Sequence, residues 1–183
     1  IEYVSERDDV DPKRIGVIAS SMSAAIVAYM LAKQYDGRKI SATIRCAAFT
    51  APVTGWDNLY DGERREQLTR LKDVKPDWHM DISTPEDMLN SISRRIPGRS
   101  IGEFMRLDVL KILEGGMTRE GMQVMTVGGG ADATVNPASF QLFHSRLGGH
   151  PGNIFIYSGQ PHHLDPKLYQ KAVVDFLTAH LNQ

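Results

Sequence analysis

Short apolar segments rich in β-branched residues alternate along this chain with segments of good helix formers. The apolar segments, each short enough for a buried strand, are residues 15–19, 40–49, 123–127 and 153–157. The main helical patterns are residues 22–34, 137–147 and 166–181. Strands separated by helices pair in parallel through right-handed crossovers. The alternation therefore predicts an α/β fold, with a mostly parallel sheet flanked by helices.

Length and apolar content predict one domain over residues 1–183, since 42% of the residues are hydrophobic and one core can be filled. Residues 54–116 differ from the rest because they are polar, charged and interrupted by prolines. Helical patterns occur in this segment only at residues 85–93 and 101–113. We interpret residues 54–116 as a cap or excursion between core strands.

Charge and composition argue against several classes of partner. Lys and Arg total 21 against 22 Asp and Glu, a balance that suggests neither nucleic acid nor an anionic membrane surface as a partner. No apolar run approaches the roughly 18 residues that a membrane span needs. The single cysteine, Cys46, excludes an internal disulfide and is compatible with a reducing, cytoplasmic compartment. The sequence thus predicts no nucleic-acid partner and no membrane partner.

The first predicted strand runs into the first helix with almost no loop, and the turn reads Ala19-Ser20-Ser21-Met22-Ser23. A serine at such a turn projects from the carboxyl end of the strand and lies at a helix N-terminus, where free N–H groups favour negative charge. The matching motif is the nucleophile elbow G-x-S-x-G, with Ala19 and Ser23 in place of the glycines. The alternative is a helix N-cap, a role open to Ser20, Ser21 or Ser23.

Two further strand ends carry an acid and a pair of histidines. Residues 127–137 follow the third strand with three glycines and then Asp132, which is either a functional carboxylate or an ordinary turn residue. The glycine run lacks the spacing of the phosphate-binding motifs. Residues 157–165 follow the fourth strand and carry His162 and His163. Adjacent histidines in an extended loop point apart and no other cluster has ligand spacing, so no metal site is predicted.

Serine, aspartate and histidine thus each follow a predicted strand, in that chain order. The carboxyl ends of parallel strands lie along one edge of the sheet, where active sites form, so the three side chains are predicted to converge. Acyl transfer needs these three groups. A hydroxyl attacks, an imidazole takes its proton, and a carboxylate fixes the imidazole tautomer and stabilises its cation.

With these three loops the chain resembles the α/β-hydrolase family. The resemblance rests on residues 19–23 as the nucleophile elbow, residues 129–137 as the acid loop and residues 159–162 as the histidine loop. It covers residues 10–181 and is closest to the dienelactone-hydrolase and serine-aminopeptidase-like esterase branches.

The resemblance also implies a role for each site residue. Ser21 would be the nucleophile, Asp132 the acid and His162 the base. His163 stays open as the alternative base, because the doublet leaves the alignment uncertain by one residue. The N–H of Met22, the residue after the nucleophile, would be one oxyanion donor, and no cofactor is implied.

The family places several strands before the elbow, and the loop after one of them supplies the second oxyanion N–H. Only residues 1–14 precede the elbow strand here, with the pattern of a helix end and a loop, and the chain begins at Ile1 without a signal-peptide pattern. We therefore expect the C-terminal portion of the fold, without its N-terminal strands. The later strands should lie on one side of the elbow strand. An upstream segment or a companion chain should complete the sheet on the other side.

In function, the resemblance implies a serine hydrolase that cleaves a small-molecule carboxylic ester, thioester or lactone through an acyl-enzyme. Two alternatives stay open: an acyltransferase of the same fold, and a non-catalytic α/β-hydrolase-like binding domain. The altered elbow and the missing strands favour the latter. Apolar side chains in the excursion, Trp56 and Trp78 among them, either line an acyl pocket or pack the segment onto the sheet.

Overall fold

The computed structural model describes residues 2–32, 44–60, 62–63, 65–66, 69–70, 79–81, 95–97, 106, 108–115 and 122–182. The strands are β1 (Ile15–Ser20), β2 (Ile44–Thr50), β3 (His79–Asp81), β4 (Arg95–Pro97), β5 (Gln123–Gly129) and β6 (Ile154–Tyr157). The helices are α1 (Glu2–Ser5), α2 (Met22–Leu31), α3 (Val109–Leu113), α4 (Ala138–Arg146) and α5 (Pro166–Leu181). Two 3-10 turns cover Trp56–Asn58 and Pro151–Asn153.

Four of these strands form one parallel sheet in the order β1-β2-β5-β6. β3 and β4 pair antiparallel in a separate two-stranded sheet. The predicted parallel sheet with flanking helices is confirmed, and so is the expectation that the later strands lie on one side of β1. For the four strands of this sheet and for α2, α4 and α5, predicted and observed ends differ by a few residues at most in the described part of the chain. Residues 33–34 and 40–43, which the sequence predicts to be helix and strand, lie outside the described residues.

Two separate cores cover the two faces of the sheet, because successive residues of each strand point to opposite sides. α2 and α4 pack on one face, where the rings of Phe49 and Phe143 meet edge to face with centroids 5.2 Å apart. α5 packs on the other face, where Phe176 lies among Met125 and Val173. No helix in the described part of the chain is long and apolar enough to cross a membrane.

β1 is an edge strand of the described sheet, and its exposure differs from that of the buried strand that its composition predicts. It pairs with β2 alone among the described strands. Ile18 is 60% exposed, whereas the next residue, Ala19, is buried. Ile26 on α2 is also exposed. Helices packed on the faces of a parallel sheet bury its strands, and β1 lies at the margin of the described sheet, where that cover is incomplete.

The segment predicted as a cap or excursion is described only in part, so the cap stays a prediction. Trp56 is buried in the same core as α2, which favours its packing role. Of the helical pattern at residues 101–113, the described residues show only its end as helix, because Arg106 and Asp108 are not helical and α3 begins at Val109. The Asp108 side chain caps α3 by accepting from the Lys111 N–H at 3.0 Å. Residues 85–93 and Trp78 lie outside the described residues.

Candidate active site

Ser21 is the turn residue between β1 and α2, and its backbone is strained. Its φ of 52° and ψ of −119° lie in a region that residues other than glycine seldom occupy. The turn is held by two hydrogen bonds to the end of the neighbouring strand and the loop after it. The Ser21 N–H donates to the Thr50 carbonyl at 2.9 Å, and the Ser21 carbonyl accepts from the Val53 N–H at 3.1 Å. Although Ser21 occupies the N-cap position of α2, its side chain makes no capping hydrogen bond.

Asp132 lies in the loop after β5 with a fully buried side chain, at 0% exposure. One of its carboxylate oxygens accepts from the N–H groups of Thr134 and Val135, both at 2.8 Å. Burial of a carboxylate is tolerated when such partners replace water, and these two bonds also fix its orientation. The second carboxylate oxygen is thereby aimed at the histidine loop.

His162 links the acid to the serine. Its Nδ1 lies 2.7 Å from Asp132 Oδ2, and its Nε2 lies 2.8 Å from Ser21 Oγ. A carboxylate only accepts hydrogen bonds, so Nδ1 carries the proton in this contact, and Nε2 of the neutral ring is left to accept from the serine hydroxyl. The structure thus brings Ser21, His162 and Asp132 into one continuous hydrogen-bonded series.

The close approach of the acid and histidine loops depends on a glycine at the end of β5. A Cβ built on Gly129 would lie 2.3 Å from the carbonyl oxygen of Gln160, so no larger residue fits without movement of the backbone. Beyond this contact the Gly130 N–H donates to the Tyr157 carbonyl at 2.9 Å, and the Ala131 N–H donates to the Gln160 carbonyl at 3.0 Å. Gly129 and Gly130 therefore serve packing between the two loops.

His163 and Met22, the other two residues singled out from the sequence, lie beside this series. His163 is exposed, and its ring meets that of His162 edge to face with centroids 5.2 Å apart. Of the two histidines, it is His162 whose ring contacts Ser21 Oγ. Met22 is the first residue of α2, so its N–H belongs to the helical turn that lacks partners within the helix.

The sequence interpretation missed the loop after β2, residues 53–60, which connects the serine and acid loops. Val53 bonds to the carbonyl of Ser21, and the Tyr60 N–H donates to the Thr134 carbonyl at 2.7 Å. Its position could have indicated a role at the site, because this loop also follows a strand at the carboxyl edge of the sheet. Because its contacts use backbone groups, no side-chain motif marks it.

Two cavities lie beside Trp56, with volumes of about 540 Å³ and 630 Å³. Their described linings consist of residues 55–58, 62, 65, 66, 69, 70, 108, 110, 111 and 114, and do not include Ser21, Asp132 or His162. No group of three or more His, Cys, Asp or Glu side chains is placed to hold a metal ion, within the residues that the structure describes.

Two buried ionisable side chains lie outside the site. His144 on α4 bridges β5 and the loop before β6, because its Nδ1 is 2.9 Å from Thr126 Oγ1 and its Nε2 is 2.9 Å from the His150 carbonyl. Burial lowers the pKa of His144, since the charged ring would lose its hydration. Burial likewise raises the pKa of the Cys46 thiol.

Known proteins match this chain by structure. No protein-family model matches the sequence, and no curated protein matches it. Solved structures do match, among them the α/β hydrolase GrgF from Penicillium sp. sh18, with a TM-score of 0.64 at 15% identity. A monoacylglycerol lipase from Paleococcus ferrophilus matches with a TM-score of 0.60 at 15% identity, and Est1E from Butyrivibrio proteoclasticus with 0.60 at 14%. The chain has the α/β-hydrolase fold.

The match covers nearly all of this chain but only part of each relative. It includes 99% of this chain and 68% of GrgF, 92% and 69% for the lipase, and 100% and 66% for Est1E. The chain therefore spans about two thirds of the length of these α/β-hydrolase structures. The predicted fold is confirmed, and at such low identity the likeness concerns the fold alone.

Proposed function

We propose that this chain carries the nucleophile, acid and base of a serine hydrolase that cleaves a carboxylic ester, thioester or lactone through an acyl-enzyme. One observation carries the proposal: the hydrogen-bonded series from Ser21 Oγ through His162 to the buried Asp132. The strained turn at Ser21 adds support, because strained backbone in a folded protein clusters at functional sites.

In the first step Ser21 Oγ attacks the carbonyl carbon of the substrate while its proton passes to His162 Nε2, 2.8 Å away. The imidazole becomes a cation, and the carboxylate of Asp132 stabilises it through Nδ1. A tetrahedral intermediate forms, in which the former carbonyl oxygen carries the negative charge.

In the second step the carbon–oxygen or carbon–sulfur bond to the leaving group breaks, and His162 returns the proton to that group. The acyl group stays on Ser21 Oγ. Water then attacks the acyl carbon with His162 again as base, and the carboxylic acid leaves as Ser21 Oγ regains its proton. An acyltransferase would run the same sequence with an alcohol or amine in place of water.

The oxyanion needs hydrogen-bond donors, and we assign one of them to the N–H of Met22. This N–H is in the first turn of α2, beside the nucleophile, and the helix N-terminus also favours negative charge. We assign the second donor to the element that covers the open edge of β1, either an upstream segment or a companion chain. Loss of one such donor typically costs on the order of 100- to 1,000-fold in kcat.

The substrate class rests on the site and on one relative. A serine nucleophile with a histidine base suits carbonyl compounds with a moderate leaving group. The similarity to a protein named a monoacylglycerol lipase supports an ester within that class. A small-molecule acyl substrate is therefore our proposed ligand, and no cofactor enters the reaction.

The test is covalent labelling of the full natural polypeptide with an active-site fluorophosphonate, followed by intact mass and peptide mapping. We expect one adduct, on Ser21, and none in a Ser21→Ala variant. Ser145→Ala removes an exposed hydroxyl on α4, far from Ser21 in the sequence, and this variant should be labelled at Ser21 like the wild type. Absence of any adduct on Ser21 would contradict the hydrolase and leave the binding domain. Product analysis with an added alcohol or amine acceptor then separates hydrolysis from acyl transfer.

A further inference from the structure

Ser23 is the residue that departs furthest from the elbow motif, and its hydroxyl makes two hydrogen bonds across the turn. The Ser20 N–H donates to Ser23 Oγ at 2.9 Å, and the Ser23 hydroxyl donates to the Ser20 carbonyl at 2.7 Å. Ser20 is the last residue of β1, and Ser23 is the second residue of α2. One side chain therefore ties the end of the strand to the start of the helix, with Ser21 and Met22 between them.

The turn is anchored on two sides. On the side of the sheet, Ser21 bonds to Thr50 of β2 and to Val53. On the side of Ser20, both polar backbone groups of that residue bond to Ser23. A strained residue such as Ser21, with φ of 52°, keeps its conformation only where the surroundings determine it. The two hydrogen bonds of the Ser23 hydroxyl help to hold Ser21 in this conformation.

We infer that Ser23 is a positioning residue, whose hydroxyl holds the elbow in the conformation that presents Ser21 Oγ and the Met22 N–H to the substrate. This inference rests on the proposed hydrolase function. The elbow motif has glycine at this position because the turn is tight, and a side chain there would be expected to crowd it. We infer the opposite effect for the Ser23 hydroxyl. Its two bonds to the Ser20 backbone make the turn rigid at a place where the motif has glycine.

The consequence is kinetic, because small displacements of a nucleophile reduce rate much more than binding. Ser23→Ala removes both hydrogen bonds and keeps the Cβ. We expect kcat and the fluorophosphonate labelling rate at Ser21 to fall roughly tenfold, with KM for a nitrophenyl ester nearly unchanged. Ser23→Thr keeps a hydroxyl three residues after the Ser20 carbonyl, so it can make the same bond and should restore most of the rate.

Two further variants complete the test in the full natural polypeptide. Ser23→Gly removes the hydroxyl together with the Cβ, so it should be slow like Ser23→Ala. Ser145→Ala is the matched control, since the Ser145 hydroxyl makes the same kind of bond, to the Leu142 carbonyl three residues back at 2.9 Å. It should label at the wild-type rate. Amide hydrogen exchange at Ser20 should be faster in Ser23→Ala than in the wild type, whatever the substrate.

The outcomes that overturn the inference are distinct from those that overturn the proposed function. If Ser23→Ala and Ser23→Gly label Ser21 as fast as the wild type, the hydroxyl positions nothing and only this inference fails. If Ser23→Gly is faster than the wild type, the side chain crowds the turn as the motif suggests, and the inference fails again. If the wild type itself is not labelled at Ser21, the hydrolase proposal fails and this inference fails with it.

Discussion

Nδ1 of His162 lies 2.7 Å from a carboxylate oxygen of Asp132, and the Asp132 side chain is fully buried behind it. The acid therefore reaches no solvent and acts only through the histidine and the backbone of its own loop. This relationship determines which nitrogen of the ring faces the serine, and it is the contact most open to a direct test.

We predict that Asp132→Asn lowers kcat on the order of 1,000- to 10,000-fold, because an amide no longer stabilises the imidazolium or the correct tautomer. The measurement is steady-state hydrolysis of a nitrophenyl ester. Asp165→Asn is the matched control: Asp165 caps α5 by accepting from the Lys167 N–H at 3.0 Å, and asparagine caps helices equally well. Equal rates for Asp132→Asn and Asp165→Asn would contradict the assignment.

The two histidines should differ sharply in their importance. His162→Ala removes the ring that contacts both Ser21 and Asp132, so we expect at least about a 1,000-fold loss of kcat. His163→Ala removes an exposed ring beside it and should change kcat by less than about tenfold. Both variants are compared by ester hydrolysis and by thermal unfolding. A more severe effect at His163 would show that the base is assigned to the wrong residue.

Gly129→Ala should separate the acid loop from the histidine loop. The new Cβ would meet the Gln160 carbonyl oxygen at 2.3 Å, so the backbone must move. We expect a loss of about 1 to 3 kcal/mol in the free energy of unfolding, together with a larger loss of turnover than stability alone explains. Gly130→Ala, where the nearest atom is a Cα at 3.3 Å, should be milder on both measures. The reverse order would contradict the close approach.

His144 predicts a dependence of stability on pH. Burial depresses its pKa below 6.5, so the unfolded chain takes up a proton that the folded chain resists. The contribution of neutral His144 is fully present above about pH 6.5 and is lost as pH falls from there through the depressed folded-state pKa.

The slope of the unfolding free energy against pH should therefore be shallower in His144→Gln than in the wild type between pH 7 and 5. The difference is at most about 1.4 kcal/mol per pH unit, the value for one proton. Chemical denaturation at a series of pH values measures it, with His163→Gln as the control at an exposed ring. An unchanged slope in His144→Gln would mean that protonation of this ring does not cause the loss of stability between pH 7 and 5.

No described strand pairs with the second edge of β1, and this predicts self-association of these 183 residues by themselves, because an exposed apolar edge strand pairs with other chains. Ile18→Lys should reduce that association, as measured by sedimentation velocity. Val174→Lys, on the exposed face of α5 at 52% exposure, should not. A monodisperse monomer of the unaltered 183 residues, with the β1 edge open, would contradict the proposed upstream segment or companion chain.

Much of the fold follows from features that neighbouring residues set by themselves. α5 begins and ends as predicted, at Pro166 and Leu181, because a proline, an aspartate cap and a 3.6-residue apolar stripe are all local signals. The strand-to-helix turn around Ser21 and the order of serine, acid and histidine are local or sequential in the same sense. These features depend on backbone sterics and on the spacing of apolar residues.

Tertiary structure decided what depends on contacts between distant residues. His162 and His163 are equivalent in sequence, and only the approach of the histidine loop to Gly129 and Asp132 turns one ring toward Ser21. The link from Val53 to Ser21 uses backbone groups, which leave no pattern in the sequence. The direction of a side chain in a loop is set by hydrogen bonds and packing from other strands. Those partners become neighbours only when the sheet has formed.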